Sequence, residues 1–240
     1  VFLVGGLGID NVLKLKLLDR PALETALDFR LGHKNLLVTF HPVTLEAGSA
    51  HAQMDELLAA LETLTDTHVI FTLPNADTEG RGLMRQIQAF VERHPDRAKA
   101  FTSLGQLRYL STVAQVDAVV GNSSSGLAEV PSFKKPTINI GDRQRGRLKA
   151  ASVINCTPDR AAILAALRLM ESPDFQARLA TTVNPYGNGG ASAAIVRILE
   201  DQPLDQLLKK RFQDLESIVH PDRFASDPTP TFTTPASTPS

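Results

Sequence analysis

The sequence is short of the residues and patterns that are typical of secreted, nucleic-acid-binding and membrane proteins. It has one cysteine, Cys156, and no tryptophan, and aromatic residues make up 5% of its 240 residues. A single cysteine excludes an internal disulfide and suits a reducing, cytoplasmic compartment. The 25 basic and 26 acidic residues give a net charge of -1, which offers no electrostatic attraction to nucleic acid or to an anionic membrane. No stretch reaches the ~20 consecutive apolar residues of a transmembrane helix.

The chain also lacks an initiator methionine and a signal peptide. It opens with VFLVGGLG, an apolar run that enters a glycine turn. We therefore expect the chain to be the C-terminal part of a longer protein, with an N-terminal domain missing. At the other end, 11 of the 14 residues from Asp227 onward are proline, serine or threonine. Because such a composition cannot form a core, we predict a folded domain over 1–218 and a disordered tail over 219–240.

Six short apolar runs alternate with segments of helical periodicity. Apolar residues occupy successive positions in each run, as they do in strands that are covered on both faces. The runs are 35–40, 68–73, 98–104, 117–122, 137–140 and 152–156. The helical segments are 49–64, 79–94, 107–114, 158–170, 188–201 and 203–219, and Thr157 is the predicted N-cap of the fourth. This alternation predicts an α/β fold with a Rossmann-like, doubly wound parallel sheet.

Four polar clusters follow the ends of predicted strands. They are HPVT (41–44), PNADTEGR (74–81), GNSSSG (121–126) and GDRQRGR (141–147). Because ligands of open parallel sheets bind beyond the carboxyl ends of the strands, we expect the four clusters to border one crevice. No spacing of histidine and cysteine fits a metal site, and no GxGxxG follows a strand, so the sequence predicts neither a metal nor a dinucleotide cofactor.

The GNSSSG cluster has the composition of a phosphate-binding loop. A strand that ends there and opens a helix presents backbone N–H groups and hydroxyls at the positive end of the helix. Ser123 and Ser124 would face the anion, and Gly126 would let the backbone approach it. Glu129 would accept hydrogen bonds from the hydroxyl pair of a ribose. The alternative is an ordinary helix cap, in which the serines satisfy backbone amides and the glutamate favours the helix dipole.

The other clusters each offer one or two candidate residues. Arg143 lies on a glycine-flanked loop and is a candidate for a bidentate contact to phosphate, whereas Arg145 and Arg147 fit solvated surface residues. His41 directly follows a buried strand and fits either a general acid or base or a donor to phosphate. Asn75 fits a ligand contact and an Asx turn equally well.

The stretch VVGNSSSGLAEVPSFKKPTINIGDRQRGR, together with TFHP, TLPNADTEGR and NPYGNGGAS, closely resembles the hydrolysing UDP-N-acetylglucosamine 2-epimerases. The resemblance extends from residue 1 to about residue 201. It implies the C-terminal half of the two-domain architecture of GT-B glycosyltransferases, in which UDP binds in the cleft between two Rossmann-like domains. Non-hydrolysing relatives have a serine-glycine-glycine phrase at this position, so the triple serine favours the hydrolysing branch.

The resemblance also implies roles for individual residues on the nucleotide. Ser123 and Ser124 match the serines that hold the diphosphate, and Arg143 matches a loop arginine that contacts the phosphates. Glu129 matches the carboxylate on the ribose. The backbone of Leu104 matches a position that meets the uracil.

Two further matches concern the chemistry and its surroundings. His41 matches the cleft histidine that meets the phosphate and serves the reaction, and Asn75 matches an asparagine near the nucleotide. The family reaction removes the proton at C2 and eliminates UDP, and water then adds from the other face to release free N-acetylmannosamine for sialic acid biosynthesis. In the family, several acids that transfer protons come from the N-terminal domain, so we expect this chain alone to bind UDP without epimerising a sugar.

Several alternatives stay open at this point. Some relatives act on a UDP-diacetamido-trideoxyhexose for legionaminic acid synthesis, and the residues that read the sugar lie mostly in the missing half. The donor-binding half of a GT-B glycosyltransferase and a non-catalytic nucleotide-sugar binding module are further alternatives. Because an exposed half-cleft favours self-association, a homo-oligomer is compatible with the sequence.

Overall fold

Six parallel strands form the central sheet of the computed structural model, which describes residues 2–42, 49–74 and 78–203. The strands are β1 (Lys34–Thr39), β2 (Thr67–Thr72), β3 (Ala98–Phe101), β4 (Ala118–Gly121), β5 (Thr137–Ile140) and β6 (Val153–Cys156). Their order in the sheet is β3-β2-β1-β4-β5-β6, so the direction of winding reverses between β1 and β4. The α/β fold with a doubly wound parallel sheet is therefore confirmed.

Helices connect the strands and flank the sheet. In the described ranges they are α1 (Leu7–Lys14), α2 (Arg20–Leu27), α3 (Ser49–Glu62), α4 (Thr78–Arg93), α5 (Gly105–Gln115), α6 (Ser125–Ala128), α7 (Arg160–Met170), α8 (Pro173–Ala180) and α9 (Ala191–Asp201). A 3-10 turn over Val130–Phe133 follows α6. The predicted helices at α3, α4, α5, α7 and α9 are present.

Three helices of eight residues each, α1, α2 and α8, were not predicted. Two of them carry clear start signals. The carboxylate of Asp19 accepts the N–H of Ala22 at the start of α2, and Ser172 caps α8 immediately before Pro173. A polar cap followed by proline in the first turn is typical of helix N-termini, so these signals could have located both helices.

The start of α7 differs from the prediction. Asp159 is the N-cap in place of Thr157, because its Oδ1 accepts the N–H of Ala162 at 2.8 Å. The hydroxyl of Thr157 donates to the same carboxylate. This bond and the one from Ala162 lower the pKa of Asp159, since both favour the charged form.

Two apolar clusters hold the helices against opposite faces of the sheet. On β1, Leu36 and Val38 belong to the cluster that includes residues of α3, α4 and α7, whereas Leu37 belongs to the cluster that includes residues of α2 and α5. All three side chains are at most 2% exposed. Successive side chains of a strand point to opposite faces, so covering both faces requires the continuous apolar runs seen in the sequence.

Asp10 of α1 ties the beginning of the chain to α9. Its Oδ1 accepts the N–H groups of Gly190 at 2.6 Å and Ala191 at 3.2 Å, and its Oδ2 accepts the N–H of Ser192 at 2.7 Å. These are the free amides at the start of α9, so Asp10 caps that helix from a distant part of the sequence. The hydrogen bonds, those from Ser192 foremost, lower the pKa of Asp10 from 3.8 to about 2.

The chain divides into two compact units, Val1–Glu200 and Asp201–Ser240. Of the second unit, the structure describes only residues 201–203. The predicted helix over 203–219, the domain boundary at 218 and the tail over 219–240 lie outside the described residues and stay predictions. Among the helices of the described ranges, none is both long enough and apolar enough to cross a lipid bilayer.

Candidate functional site

Asn122 holds the carboxyl ends of β1 and β4 together at the point where the sheet reverses its winding. Its Oδ1 accepts the N–H of His41 at 2.8 Å, and its Nδ2 donates to the carbonyl of His41, also at 2.8 Å. The backbones of the two strands also approach closely, because a Cβ at Gly121 would lie 1.9 Å from the carbonyl oxygen of Thr39. The backbone of His41 is therefore fixed at the topological switch point, where doubly wound proteins bind their ligands.

Arg143 reaches the same point from the end of β5. Its Nη1 donates to the carbonyl of Asn122 at 3.0 Å, and Nε2 of the neighbouring Gln144 donates to the same oxygen at 2.8 Å. Partial desolvation, followed by repulsion from Arg147, lowers the pKa of Arg143, but a guanidinium stays charged near neutral pH. A guanidinium has five N–H donors, so this single bond leaves donors for an anion.

Ser123 and Ser124 lie between Asn122 and α6 and carry unused hydrogen-bond donors. Their backbone N–H groups donate to no residue that the structure describes. Ser124 is the N-cap of α6 by position, yet its side chain makes no capping bond. The hydroxyl of Ser123 accepts only a long bond, 3.4 Å, from the N–H of Ser125. The capping alternative therefore has no hydrogen bond to support it at Ser124.

The helix that opens after these serines is short. α6 has four residues and is followed by the 3-10 turn, so little of the expected helix dipole is available to an anion. Glu129 was expected near the start of this helix, and it is instead the C-cap of α6. An anion at this site depends instead on hydroxyls, backbone amides and Arg143.

Gly126 has a packing role in the structure. A Cβ at this position would lie 2.6 Å from Cγ2 of Thr137, and the Thr137 hydroxyl donates to the carbonyl of Gly126 at 2.7 Å. Glycine therefore lets α6 pack closely on β5. The contact between Gly126 and a ligand stays a prediction.

Glu129 and Leu104 line one cavity of about 350 Å³. The other residues that line it are Thr72, Thr102, Ser103, Gly105, Gln106, Tyr109 and Leu110. Leu104 is the N-cap residue of α5, and the predicted strand over 98–104 ends earlier, at Phe101. The cavity thus brings together the two residues that were predicted to contact the uracil and the ribose.

Not every predicted residue is in this arrangement. Asn75 lies outside the described residues, so its role stays a prediction. Arg145 and Arg147 are exposed, as expected of solvated surface residues. Reasoning from the sequence missed Tyr109, whose hydroxyl donates to Oγ of Ser125 at 2.7 Å. That contact joins two helices, and no local pattern in the sequence indicates it.

Three larger cavities lie elsewhere in the described part of the chain. One of about 470 Å³ is lined by residues at the carboxyl ends of β5 and β6, including Cys156, and one of about 430 Å³ lies between α3 and α4. The third, of about 690 Å³, lies at the amino edge of the sheet, where the strands begin. Burial, followed by repulsion from Asp159, raises the pKa of Cys156 to about 11, so its thiol stays protonated and is a poor nucleophile. Within the described ranges, no group of three or more histidine, cysteine, aspartate or glutamate side chains could hold a metal ion.

Fold and site together define a doubly wound α/β protein with unused donors for an anion at its switch point. The sequence profile of the family described as UDP-N-acetylglucosamine 2-epimerase matches residues 1–200. The chain therefore belongs to the UDP-N-acetylglucosamine 2-epimerase family.

Individual relatives agree with this assignment. The chain is 37% identical over 216 residues to the GDP/UDP-N,N'-diacetylbacillosamine 2-epimerase (hydrolyzing) of Campylobacter jejuni. The aligned region covers 90% of this chain and 56% of that protein. It is also 37% identical over 202 residues to polysialic acid biosynthesis protein P7 of Escherichia coli. That aligned region covers 84% of this chain and 51% of the relative. The chain spans about half the length of the curated relatives it matches.

Solved structures confirm the fold. The Staphylococcus aureus MnaA–UDP co-structure matches with a TM-score of 0.63 and 19% identity over 82% of this chain and 52% of that chain. The Methanocaldococcus jannaschii UDP-GlcNAc 2-epimerase in complex with UDP-GlcNAc and UDP matches with a TM-score of 0.61 and 17% identity over 83% and 54%. This chain therefore covers about half of each of these two structures.

Proposed function

We propose that this chain binds the UDP part of a UDP-sugar and that the protein it belongs to is a hydrolysing UDP-sugar 2-epimerase. The observation that carries the proposal is the set of unused donors at the switch point: the N–H groups of Ser123 and Ser124, the hydroxyl of Ser124 and the free N–H groups of Arg143. Donors that converge at the end of a parallel strand are what a diphosphate requires.

The diphosphate site would contribute to the reaction as well as to binding. When the C2 proton is removed and the bond from C1 to the diphosphate oxygen breaks, negative charge grows on the departing UDP. Donors that are already in place stabilise that charge without reorganising, which is the largest catalytic effect in many enzymes. Ser124 and Arg143 would supply such donors, while Glu129 and the backbone of Leu104 would hold the nucleoside in the cavity they share.

His41 is the candidate for proton transfer on this chain. Its position next to the diphosphate donors follows from the two bonds that Asn122 makes to its backbone. A histidine at this place can give a proton to the departing phosphate oxygen or take one from the sugar. The remaining acids of the reaction would come from an N-terminal domain.

Two candidates for the sugar of the substrate have specific support. The family description favours UDP-N-acetylglucosamine, with N-acetylmannosamine and UDP as products. The name of the Campylobacter jejuni relative favours UDP-N,N'-diacetylbacillosamine, a diacetamido-trideoxy sugar nucleotide. Both candidates share the UDP that this chain would bind.

The test uses the protein in its full length and each of the two UDP-sugars, without any acceptor. NMR would follow UDP and the free sugar. We expect one of the two sugars to give UDP and the 2-epimeric free sugar in equal amounts. Hydrolysis without inversion at C2, or a requirement for an acceptor, would contradict the epimerase and favour a glycosyltransferase. UDP binding without turnover of either sugar would indicate a binding module.

We also propose a location and an oligomeric state for the protein. A lone, half-buried cysteine with a protonated thiol fits the reducing cytoplasm. Association into a homo-oligomer is also part of the proposal, and analytical ultracentrifugation of the protein with and without UDP would test it.

A further inference from the structure

Three side chains form a hydrogen-bonded chain that ends on Glu129. The hydroxyl of Tyr109 on α5 donates to Oγ of Ser125 at 2.7 Å, and the hydroxyl of Ser125 donates to Oε2 of Glu129. A serine hydroxyl has one proton, and the carboxylate takes it, so Ser125 can only accept from the phenol. The direction of the chain is therefore fixed from Tyr109 through Ser125 to Glu129.

The phenol keeps its proton under all conditions in which the protein works. Burial raises the pKa of Tyr109 to about 12, and the nearby charge of Glu129 acts in the same direction. Tyr109 therefore remains a donor, and the carboxylate of Glu129 remains tethered to α5 through Ser125.

The tether uses one oxygen of the carboxylate and leaves the other. Oε1 of Glu129 accepts no hydrogen bond from the residues that the structure describes. It lies beside α1 at Gly8, where an added Cβ would be 3.2 Å from it. Tyr109 and Glu129 both line the cavity of about 350 Å³ that also contains Leu104. Glu129 therefore combines a held carboxylate with an oxygen that no described residue uses, and the residue lines a cavity of ligand size.

We propose that Tyr109 and Ser125 are positioning residues that fix the carboxylate of Glu129 to read the hydroxyl pair of a ribose, and so set the preference for a ribonucleotide. This inference rests on the proposed function, because it requires UDP in the cavity. A free glutamate side chain loses rotamer entropy when it is ordered. Ordering it before the ligand arrives removes that cost from binding.

The experiment compares two ligands that differ only in the hydroxyl pair, UDP and 2′,3′-dideoxy-UDP, by isothermal titration calorimetry. The variants are Tyr109→Phe, which breaks the link to Ser125, and Ser125→Ala, which removes the middle member and so breaks both links. The matched control is Thr112→Val, which removes a buried hydroxyl from the same helix, where it donates to the carbonyl of Arg108 at 2.8 Å. Circular dichroism and thermal unfolding would verify that each variant is folded.

We expect both variants to bind UDP about 3- to 10-fold more weakly, as for the loss of one hydrogen bond. Their affinity for dideoxy-UDP should stay at the wild-type value, so the ratio of the two affinities falls. Thr112→Val should keep both affinities. A general loss of structure would weaken both ligands alike, and the ratio separates that effect from positioning.

The outcomes distinguish this inference from the proposed function. A wild-type protein that binds no UDP overturns the proposed function, and the inference with it. If wild-type protein binds UDP and Glu129→Gln lowers the ratio, but Tyr109→Phe and Ser125→Ala leave the ratio unchanged, the inference alone is wrong. If Glu129→Gln also leaves the ratio unchanged, Glu129 does not read the ribose, and the inference is again overturned.

Discussion

The amino edge of the sheet, where the parallel strands begin, and the carboxyl edge, where they end, differ in their cavities and in their polar groups. The amino edge has the largest of the cavities described above, about 690 Å³, against about 470 and 350 Å³ at the carboxyl edge. Two of its lysines are bonded: Nζ of Lys34 lies 2.5 Å from Oε1 of Glu171, and Nζ of Lys134 donates to the last carbonyl of α8 at 2.8 Å. At the carboxyl edge, the N–H groups of Ser123 and Ser124 donate to no described residue.

The proposed nucleotide site is therefore not at the largest of these cavities. α7 ends at the amino edge, as its residues Met170 and Arg168 line the large cavity. The carbonyl end of a helix disfavours an anion and attracts cations, which accounts for the lysines and the arginine there. We place the proposed diphosphate at the carboxyl edge because the N–H groups of Ser123 and Ser124, which donate to no described residue, lie there at the topological switch point.

The largest expected effect compares two histidines on either side of β1. His41 follows the carboxyl end of the strand, and His33 precedes its amino end. In the full-length enzyme, we expect His41→Ala to lower kcat by about 10²-fold or more, the usual scale for a positioned acid or base. His33→Ala should leave kcat unchanged. NMR of the released sugar gives the rate. A change in KM alone for His41→Ala would make this residue a binding residue and contradict the catalytic role.

Two asparagines with the same bonding pattern offer a second comparison. Asn122 bonds both backbone groups of His41 at the carboxyl edge, and Asn35 bonds both backbone groups of Gly32 at the amino edge. Each is at most 2% exposed. We expect alanine at either position to lower the free energy of unfolding by about 2–3 kcal/mol, because two hydrogen bonds are lost at a buried site. Urea denaturation measures this.

Only the change at Asn122 should also lower the affinity for UDP, since only that asparagine fixes the backbone at the switch point. Equal loss of UDP affinity in both variants would show that the carboxyl edge has no special connection to the ligand.

A pair of arginines gives the third comparison. Arg143 lies at the carboxyl edge, and Arg168 lines the cavity at the amino edge. We expect Arg143→Ala to lower the affinity for UDP about 10-fold and to leave the affinity for uridine unchanged, because a charge-assisted bond to phosphate is lost. Arg168→Ala should affect neither ligand. Calorimetry with the two ligands checks this, and an equal loss of UDP and uridine in Arg143→Ala would make the arginine structural.

The smallest expected effect is on Tm at Asp10, which lies at neither edge, and it depends on pH. The pKa of Asp10 is lowered from 3.8 to about 2 by its bonds to the start of α9. A lowered pKa in the folded state adds stability above pH 3.8 that is lost as the pH falls towards 2. We therefore expect Asp10→Asn to lower Tm near neutral pH and to match the wild type near pH 2. A constant difference in Tm across this range would contradict the assignment.

The sequence predicted the sheet better than it predicted the helices. Strand β5 was predicted with its observed bounds, because three of its four residues are β-branched and the run has no helical period. The predicted strand at β3 was too long, because Leu104 has helical backbone angles and starts α5. No bounds were predicted for the helix at α6, although Pro131, two residues after Glu129, was available as a sign that this helix is short.

The site residues that follow a strand end could likewise be predicted from the sequence. The contacts between residues far apart in the sequence could not. Ser123 and Ser124 follow a strand end and could be selected by position alone. The contacts of Tyr109 with Ser125 and of Asn122 with His41 join segments that only the folded sheet brings together. Residues that position other residues have no motif of their own, so they are missed when a sequence is read by its strand ends.

The most direct test of the central claim is a UDP titration of the isotope-labelled chain, followed by the amide chemical shifts. The account predicts that the largest shift changes occur at Leu104, Ser123, Ser124 and Arg143 on the carboxyl edge. Lys135 and Leu167, which line the larger cavity on the amino edge, should show no change. Shift changes centred on the amino edge, or none at UDP concentrations in the millimolar range that saturate even weak sites, would contradict the account.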